Sequence, residues 1–249
     1  MIFTINCLFN MDFNYLEHYK TDANEFDYFE ERKGATAHDE RRVREFIISL
    51  VEWDVKSILD IGCGSAWVAE FFTNKSVKVY SFDISLINTI RAKEKVPDPL
   101  NNPLVGDAFS LPLRSHSIDC VIASEVIEHV IDPKLFVKEL FRVVKPGGSV
   151  IITTPYKEVL RYSLCIHCNK KTPINAHLHS FDENVLSSLI DSKDLDKVTW
   201  KKFGNKVLIY LRTYIFLKFL PFSFWKYLDK AANFLYNHTA HIIVRYKKK

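Results

Sequence analysis

The sequence predicts an α/β fold, a parallel sheet covered by helices on both faces. Short apolar runs rich in β-branched residues alternate with stretches of helical periodicity from residue 57 to residue 155. That alternation implies right-handed strand–helix–strand crossovers. Glycine is the second sign. Only seven occur, and five of them (Gly62, Gly64, Gly106, Gly147, Gly148) stand at the ends of those runs or just before them, where backbone geometry calls for them. Composition is the third. Hydrophobic residues make up 47% and charged residues 26%, which fits a soluble globular chain and excludes disorder, collagen and a disulfide scaffold. At 249 residues the chain can bury a sizeable core as one large domain or a domain with one appendage.

Taken in order, residues 1–11 have no basic region and no cleavage site, so no secretory signal is expected, and Met11 is an alternative start to Met1. Residues 12–36 read as an aromatic, acidic arm of short helices. The N-terminal arm is set at 1–37 and the main domain at 38–249. Residues 38–52 place Val43, Phe46, Ile47 and Leu50 at helical spacing. SILDIG (57–62), VKVYSFD (77–83), PLVGD (103–107), IDCVIASE (118–125) and SVIITTP (149–155) predict five strands, with helices at 66–73, 84–95 and 132–144. The last helix opens on Asp132-Pro133 and stops before Pro146-Gly147-Gly148, the expected punctuation. After Pro155 comes a Cys/His-rich loop at 156–180. FDENVLSSLIDS (181–192) reads as a helix with a Ser180/Glu183 capping box. KVTWKKFG (197–204) and HIIVRYKKK (241–249) supply a sixth and a seventh strand, with an aromatic helical insertion at 207–238 between them.

A net charge of +4 is small, and no nucleic-acid partner is expected from it. Five cysteines, an odd set in a long chain, favour a reducing compartment and so the cytoplasm.

Asp60-Ile61-Gly62-Cys63-Gly64-Ser65-Ala66 follows a strand and opens a helix. Glycines there let backbone amides approach a ligand near the positive end of a helix. Trp67 stands where a nicotinamide-dinucleotide fingerprint requires its third glycine, which demotes that reading. The other motifs follow in order: Asp83 ends the second strand, Gly106-Asp107-Ala108 the third, Glu125-Val126-Ile127-Glu128-His129-Val130 the fourth, and Lys145-Pro146-Gly147-Gly148 precedes the fifth. In this register the chain resembles the class I S-adenosylmethionine (SAM)-dependent methyltransferases of the type-11, ubiquinone-biosynthesis-like group, over about residues 40–155. The departure is Ser65-Ala66, where many relatives have a glycine.

The resemblance implies a Rossmann-like, doubly wound seven-stranded sheet with a reversed last strand. It places Asp83 on the ribose hydroxyls, which suits a bidentate carboxylate. It also places Asp107 on the adenine amino group with Ala108 beside the ring, and Asp60, Gly62, Cys63, Gly64, Ile84 and Glu125 around the same cofactor. Read alone, Asp60 and Asp83 could simply cap a turn and a helix. Cys63 is expected as a small packing residue and not a nucleophile. The implied function is SAM-dependent methyl transfer to a small-molecule or lipid-linked acceptor. If the acceptor must lose a proton, His177, His38 and Glu128 are the candidate bases, while His129 orders its loop. The alternative is a non-catalytic SAM-binding or zinc-stabilised interaction protein, against which the undamaged cofactor motifs argue.

Two further features stay open between readings. Cys165-Ile166-His167-Cys168 followed by His177-Leu178-His179 has the residue types of a structural zinc site formed by Cys165, Cys168, His177 and His179. The other reading is a reduced, unliganded loop in which His177 serves the acceptor. The stretch 207–228 is apolar enough for a span, yet Arg212, Lys218 and Lys226 interrupt it and Pro221 breaks it. A packed lid, an in-plane peripheral membrane anchor and a true span compete there. Lys247-Lys248-Lys249 would aid anionic lipid contact or stand as a solvated tail.

Overall fold

The computed structural model describes residues 13–249; the expectations about residues 1–11 and the start site lie outside them. Five parallel strands come first along the chain: β1 (Ser57–Ile61), β2 (Lys78–Asp83), β3 (Asn101–Val105), β4 (Ile118–Ser124) and β5 (Val144–Pro155). They are followed by β6 (Tyr162–Leu164), β7 (Lys171–Pro173), β8 (Leu195–Asn205) and β9 (Thr239–Lys248). The main sheet has seven strands in the order β3-β2-β1-β4-β5-β9-β8, and β6 pairs only with β7. The β9 strand runs antiparallel to both β5 and β8, so the last strand is reversed. The chain reverses its direction of travel across the sheet between β1 and β4, which opens a crevice at the carboxyl ends of the strands.

Alternation along each strand separates two apolar layers. Leu59, Val121, Ala123, Val150 and Ile152 face one side, under α5 (Pro133–Val143) and α6 (Glu183–Ser187). Ile58, Cys120, Ile122 and Ile151 face the other, under α2 (Gly34–Ile48), α3 (Trp67–Thr73) and α4 (Leu86–Lys95). The α5 helix starts as its sequence predicts: Asp132 Oδ1 accepts from Lys134 N and Leu135 N, and Pro133 fills the first position. An N-terminal helix, α1 (Tyr15–Glu25), lies near α4. The insertion between β8 and β9 forms α7 (Lys206–Tyr210), α8 (Tyr214–Leu217) and α9 (Phe222–Leu235).

Several boundaries differ from the sequence reading. The α2 helix occupies 34–48 instead of 38–52, and β5 begins at Val144. The Ser180/Glu183 box does not form. Phe181 is held extended by a parallel bridge to Tyr156, so the helix starts later, and Asp182 caps it through Asn184 N and Val185 N. Two lysines of the tail are paired with the protein, while Lys249 is exposed. Lys247 Nζ binds both Glu52 oxygens at 2.7 Å, and Lys248 Nζ donates to the Phe141 and Val144 carbonyls. Among the described residues no helix is long and apolar enough to cross a membrane, which removes the spanning reading of 207–228.

Candidate active site

A cavity of about 1000 Å³ opens over the crevice, large enough for a cofactor and an acceptor together. Asp60, Gly62, Cys63, Gly64, Asp83, Ile84, Asp107, Ala108 and Glu125 all line it. The turn from β1 into α3 is folded tightly by its own backbone: Gly62 N and Cys63 N both donate to Phe82 O, and Ala66 N to Cys63 O. Gly62 has φ +69°, and a Cβ there would stand 2.8 Å from Val126 Cγ2. Only glycine fits. At Ala66, in the stretch where relatives carry glycine, the chain also turns left-handed with φ 57°.

Asp60 and Asp83 end adjacent strands, and both are buried. Burial raises the pKa of each, and the neighbouring Asp83 charge raises that of Asp60 further. Backbone N–H groups of Ser85, Gly64 and Ile84 partly offset this at Asp83, whose Oδ1 accepts from Ser85 N at 2.9 Å. Oδ2 of Asp60 is buried without a hydrogen-bond partner among the described residues, an unmet acceptor on a residue that lines the cavity. Burial pushes the Cys63 thiol up, which keeps it protonated and suits a packing role.

Asp107 is reached by the N-terminal arm: the Tyr15 hydroxyl donates to its Oδ2 at 2.5 Å. Burial and this bond push the Tyr15 hydroxyl up to about 12. Tyr19 donates to the His129 carbonyl at 3.0 Å, and Tyr28 binds Asp22. These tyrosines roof the cavity, a role that the aromatic composition of 12–36 only hinted at.

At the far wall Glu125 takes φ 55°, a left-handed conformation uncommon outside glycine. His241, from the start of β9, places Nε2 2.8 Å from Asp39 Oδ2 and Nδ1 3.6 Å from Glu125 Oε1. Burial opposes its charge, but the Glu125 and Asp39 carboxylates outweigh that and hold its pKa at about 10. Nothing in the sequence marked His241 or Asp39.

The candidate bases separate. His38 does not line the cavity; it is buried with its ring 6.1 Å from that of Trp225, and burial and Arg42 lower its pKa. A base role for His38 is thereby corrected: it is a packing residue on the buried face of α2, near Trp225. Glu128 and His177 meet beside His129, which does line the cavity. Burial, then His177, lower the His129 pKa to about 4, so its ring is neutral at pH 7.

The four-residue zinc set is also corrected. Cys165 and Cys168 sit together in the β6–β7 hairpin, where the N–H groups of Cys168 and His167 lower the Cys165 pKa. His177 Nδ1 instead binds Glu158 Oε2 at 2.5 Å, and His179 Nε2 binds the Val130 carbonyl at 2.9 Å. Among the described residues, the one three-ligand group close enough for an ion is Glu128, His129 and His177, without either cysteine. Each histidine is anchored toward the strand β4 loop, because Leu178 N and His179 N both donate to Glu128 O.

Comparison with known proteins places this geometry. Residues 59–152 match a methyltransferase domain family. A probable S-adenosylmethionine-dependent methyltransferase of Mycolicibacterium smegmatis is 28% identical over 140 residues, 55% of this chain and 51% of that protein. A mitochondrial ubiquinone biosynthesis O-methyltransferase of Bos taurus is 28% identical over 199 residues, 75% of this chain and 49% of that protein. The chain thus spans about half the length of the curated relatives it matches. Among solved structures, a SAM-dependent methyltransferase from Mesorhizobium loti superposes with a TM-score of 0.59 at 16% identity, covering 84% of this chain and 99% of that one. Sheet order, motif register and family match agree: residues 59–152 carry a methyltransferase domain of the type-11 family, set in a class I methyltransferase fold.

Proposed function

We propose that the chain transfers a methyl group from SAM to a small, lipid-linked acceptor bound beside His129 and His241. One observation carries the reading: three carboxylates, Asp60, Asp83 and Asp107, converge on one cavity from the ends of three parallel strands. The residues fit the cofactor. The unmet Asp60 Oδ2 and the adjacent Asp83 carboxylate need a positive, hydrogen-bonding partner, and the Gly62 turn leaves room for a close backbone approach. Asp83 would hold the ribose hydroxyls and Asp107 the adenine amino group, with lone pairs left after its bond to Tyr15.

Bound SAM supplies a methyl group on an already activated sulfonium. The chain then has three tasks. It aligns acceptor and cofactor by holding both in one cavity, it excludes water beneath the Tyr15–Tyr19–Tyr28 roof, and it accepts a proton where the acceptor must lose one. Neutral His129 lines the cavity where that proton would leave, with His177 beside it outside the lining.

Support for a lipid-linked acceptor comes from the insertion. The α8–α9 segment docks on α2, which borders the cavity: Arg42 donates to the Leu217 and Leu220 carbonyls and Arg41 to that of Lys218. Its outer side presents exposed aromatic and basic residues, the composition that suits a peripheral contact with a lipid surface. The name of the ubiquinone-biosynthesis relative agrees with such an acceptor.

Titration calorimetry with SAM, followed by methyl transfer from labelled SAM to a panel of hydroxylated and aminated prenyl-ring acceptors, tests the reading. Asp83→Ala should lose charge-assisted hydrogen bonds and weaken SAM on the order of 10²-fold in a folded protein. A folded wild type that ignores SAM would sink the proposal. Tight binding with no turnover on any acceptor would instead favour the non-catalytic alternative.

A further inference from the structure

We infer that the β6–β7 hairpin carries half of a zinc site, and that a second copy of the chain supplies the other half. The half-site is Cys165 with Cys168. Leu164 pairs with Lys171 to close the hairpin, and residues 165–170 form its tip. Within the tip Cys165 N donates to Lys170 O and Asn169 N to Cys165 O, both at 2.9 Å. Asn169 takes φ 54°, the left-handed conformation that doubles the chain back. This path aims the N–H groups of His167 and Cys168 at Cys165 Sγ, and the Cys168 thiol donates to the same sulfur. Two sulfurs in contact, one of them cradled by backbone amides, are a preformed thiolate pair for one soft ion.

One chain does not finish the site. Structural zinc takes four ligands in a tetrahedron. Among the described residues no group of three ligating side chains includes either cysteine. The histidines that follow are held away from the tip, His177 by Glu158 and His179 by the Val130 carbonyl. A two-fold axis through the ion turns the pair of thiolates into a complete set, because an isologous contact brings the same patch from both copies. The surroundings of the sulfurs fit that partner. Cys168 is exposed, Ile166 between the two cysteines is 100% exposed, and Leu164 is 66% exposed. Apolar side chains beside the sulfurs are covered when two tips meet. Four thiolates around Zn2+ leave an excess of negative charge. Each copy brings Lys170 and Lys171, both exposed, directly after the turn to offset it.

The test titrates Co2+ into the reduced, metal-stripped full chain and follows the visible spectrum together with the mass in solution. Thiolate charge-transfer bands should rise and saturate at about half an ion per chain, while monomer passes to dimer. Zn2+ should displace Co2+ and keep the dimer, and a chelator should restore the monomer. Ions held elsewhere through nitrogen and oxygen give no thiolate band, so they do not enter the count. Cys165→Ser and Cys168→Ser should each abolish both the bands and the dimer. Neither cysteine lines the cofactor cavity, so SAM affinity and the melting temperature should stay at the wild-type values, which separates a lost ion from a lost fold. The ion site does not depend on the methyl-transfer reading. Bands that saturate at one ion per chain in a monomer would overturn the shared site. So would a dimer that persists in both serine variants, or a folded, reduced wild type that shows no thiolate band.

Discussion

His241 shows how one residue ties the site to the stability of the fold. Its imidazolium lies between Asp39 and Glu125, which come from α2 and from the loop after β4. Its folded pKa is raised from 6.5 to about 10. A raised pKa means that the stabilisation is fully present below pH 6.5 and is lost as pH climbs through about 10. His241→Gln should therefore cost about 1.5–3 kcal/mol near pH 6, the worth of a hydrogen bond to a charged group. It should also flatten the alkaline limb of a stability profile taken by urea unfolding. A variant that keeps the wild-type slope between pH 6.5 and 10 would remove the ion pair from the account. The cavity-lining positions Asp60, Gly62 and Gly64 were legible from sequence because they lie within one strand–turn–helix unit. His241 was not legible. Its partner Asp39 is 202 positions away, and a histidine opening an apolar strand carries no local mark of what it will face. His38 misled for the same reason: its place at a helix start near the cavity said nothing about Trp225, which arrives from α9.

At the scale of elements, the β1–α3 turn is tightly constrained. Gly62 is constrained twice, by its φ of +69° and by Val126 Cγ2, 2.8 Å from where a Cβ would stand. Gly62→Ala should destabilise by about 1–3 kcal/mol through overpacking, and should weaken SAM by displacing the β4 loop. Adding Val126→Ala removes the steric part but not the left-handed backbone, which costs an alanine about 1–2 kcal/mol. The double variant should then be more stable than the two separate losses add up to, a coupling readable in a double-mutant cycle. Strict additivity would show that the clash is relieved by movement elsewhere. The strands and central helices of this half followed their sequence signals because periodicity, capping and burial agree there. The β6–β7 hairpin did not. Its three-residue strands are largely exposed and show no apolar alternation, so the segment read as a loop with metal-ligand spacing. What separates its cysteines from His177 is the pairing of that histidine with Glu158, a contact across 19 positions that spacing alone does not reveal.

Over the whole molecule, the seven-stranded order was legible through the motif register, but the seating of the aromatic insertion was not. Arg42, buried on α2, holds it: the guanidinium pairs with Glu45, caps two carbonyls of the insertion and lies 4.9 Å over the Trp225 ring. Asp229 anchors the other end by accepting from Gly204 N and Asn205 N. With Trp225 and Asp229 turned inward, the remaining face is left outside. Tyr210, Phe216, Phe219, Tyr227 and Phe234 are exposed, the last at 89%. Lys206, Arg212, Lys218, Lys226 and Lys230 are exposed among them, and the one acidic residue of 206–238, Asp229, is buried. Aromatic rings that no core covers, rimmed by cations alone, suit the interface of an anionic bilayer, where each cation near the surface contributes about 1 kcal/mol. Of the lysine tail only Lys249 is exposed, because Glu52 and backbone carbonyls already hold Lys247 and Lys248. The protein should float with anionic vesicles and not with neutral ones. Raising salt from about 0.1 M to about 1 M shortens the screening length from roughly 10 to 3 Å and should release it. Phe216→Ser with Phe219→Ser should abolish flotation while SAM binding persists, since neither ring lines the cofactor cavity. Equal binding to neutral vesicles would show that charge plays no part. A monodisperse protein that ignores every vesicle would make the insertion a lid, its aromatic face reserved for the acceptor or another protein surface.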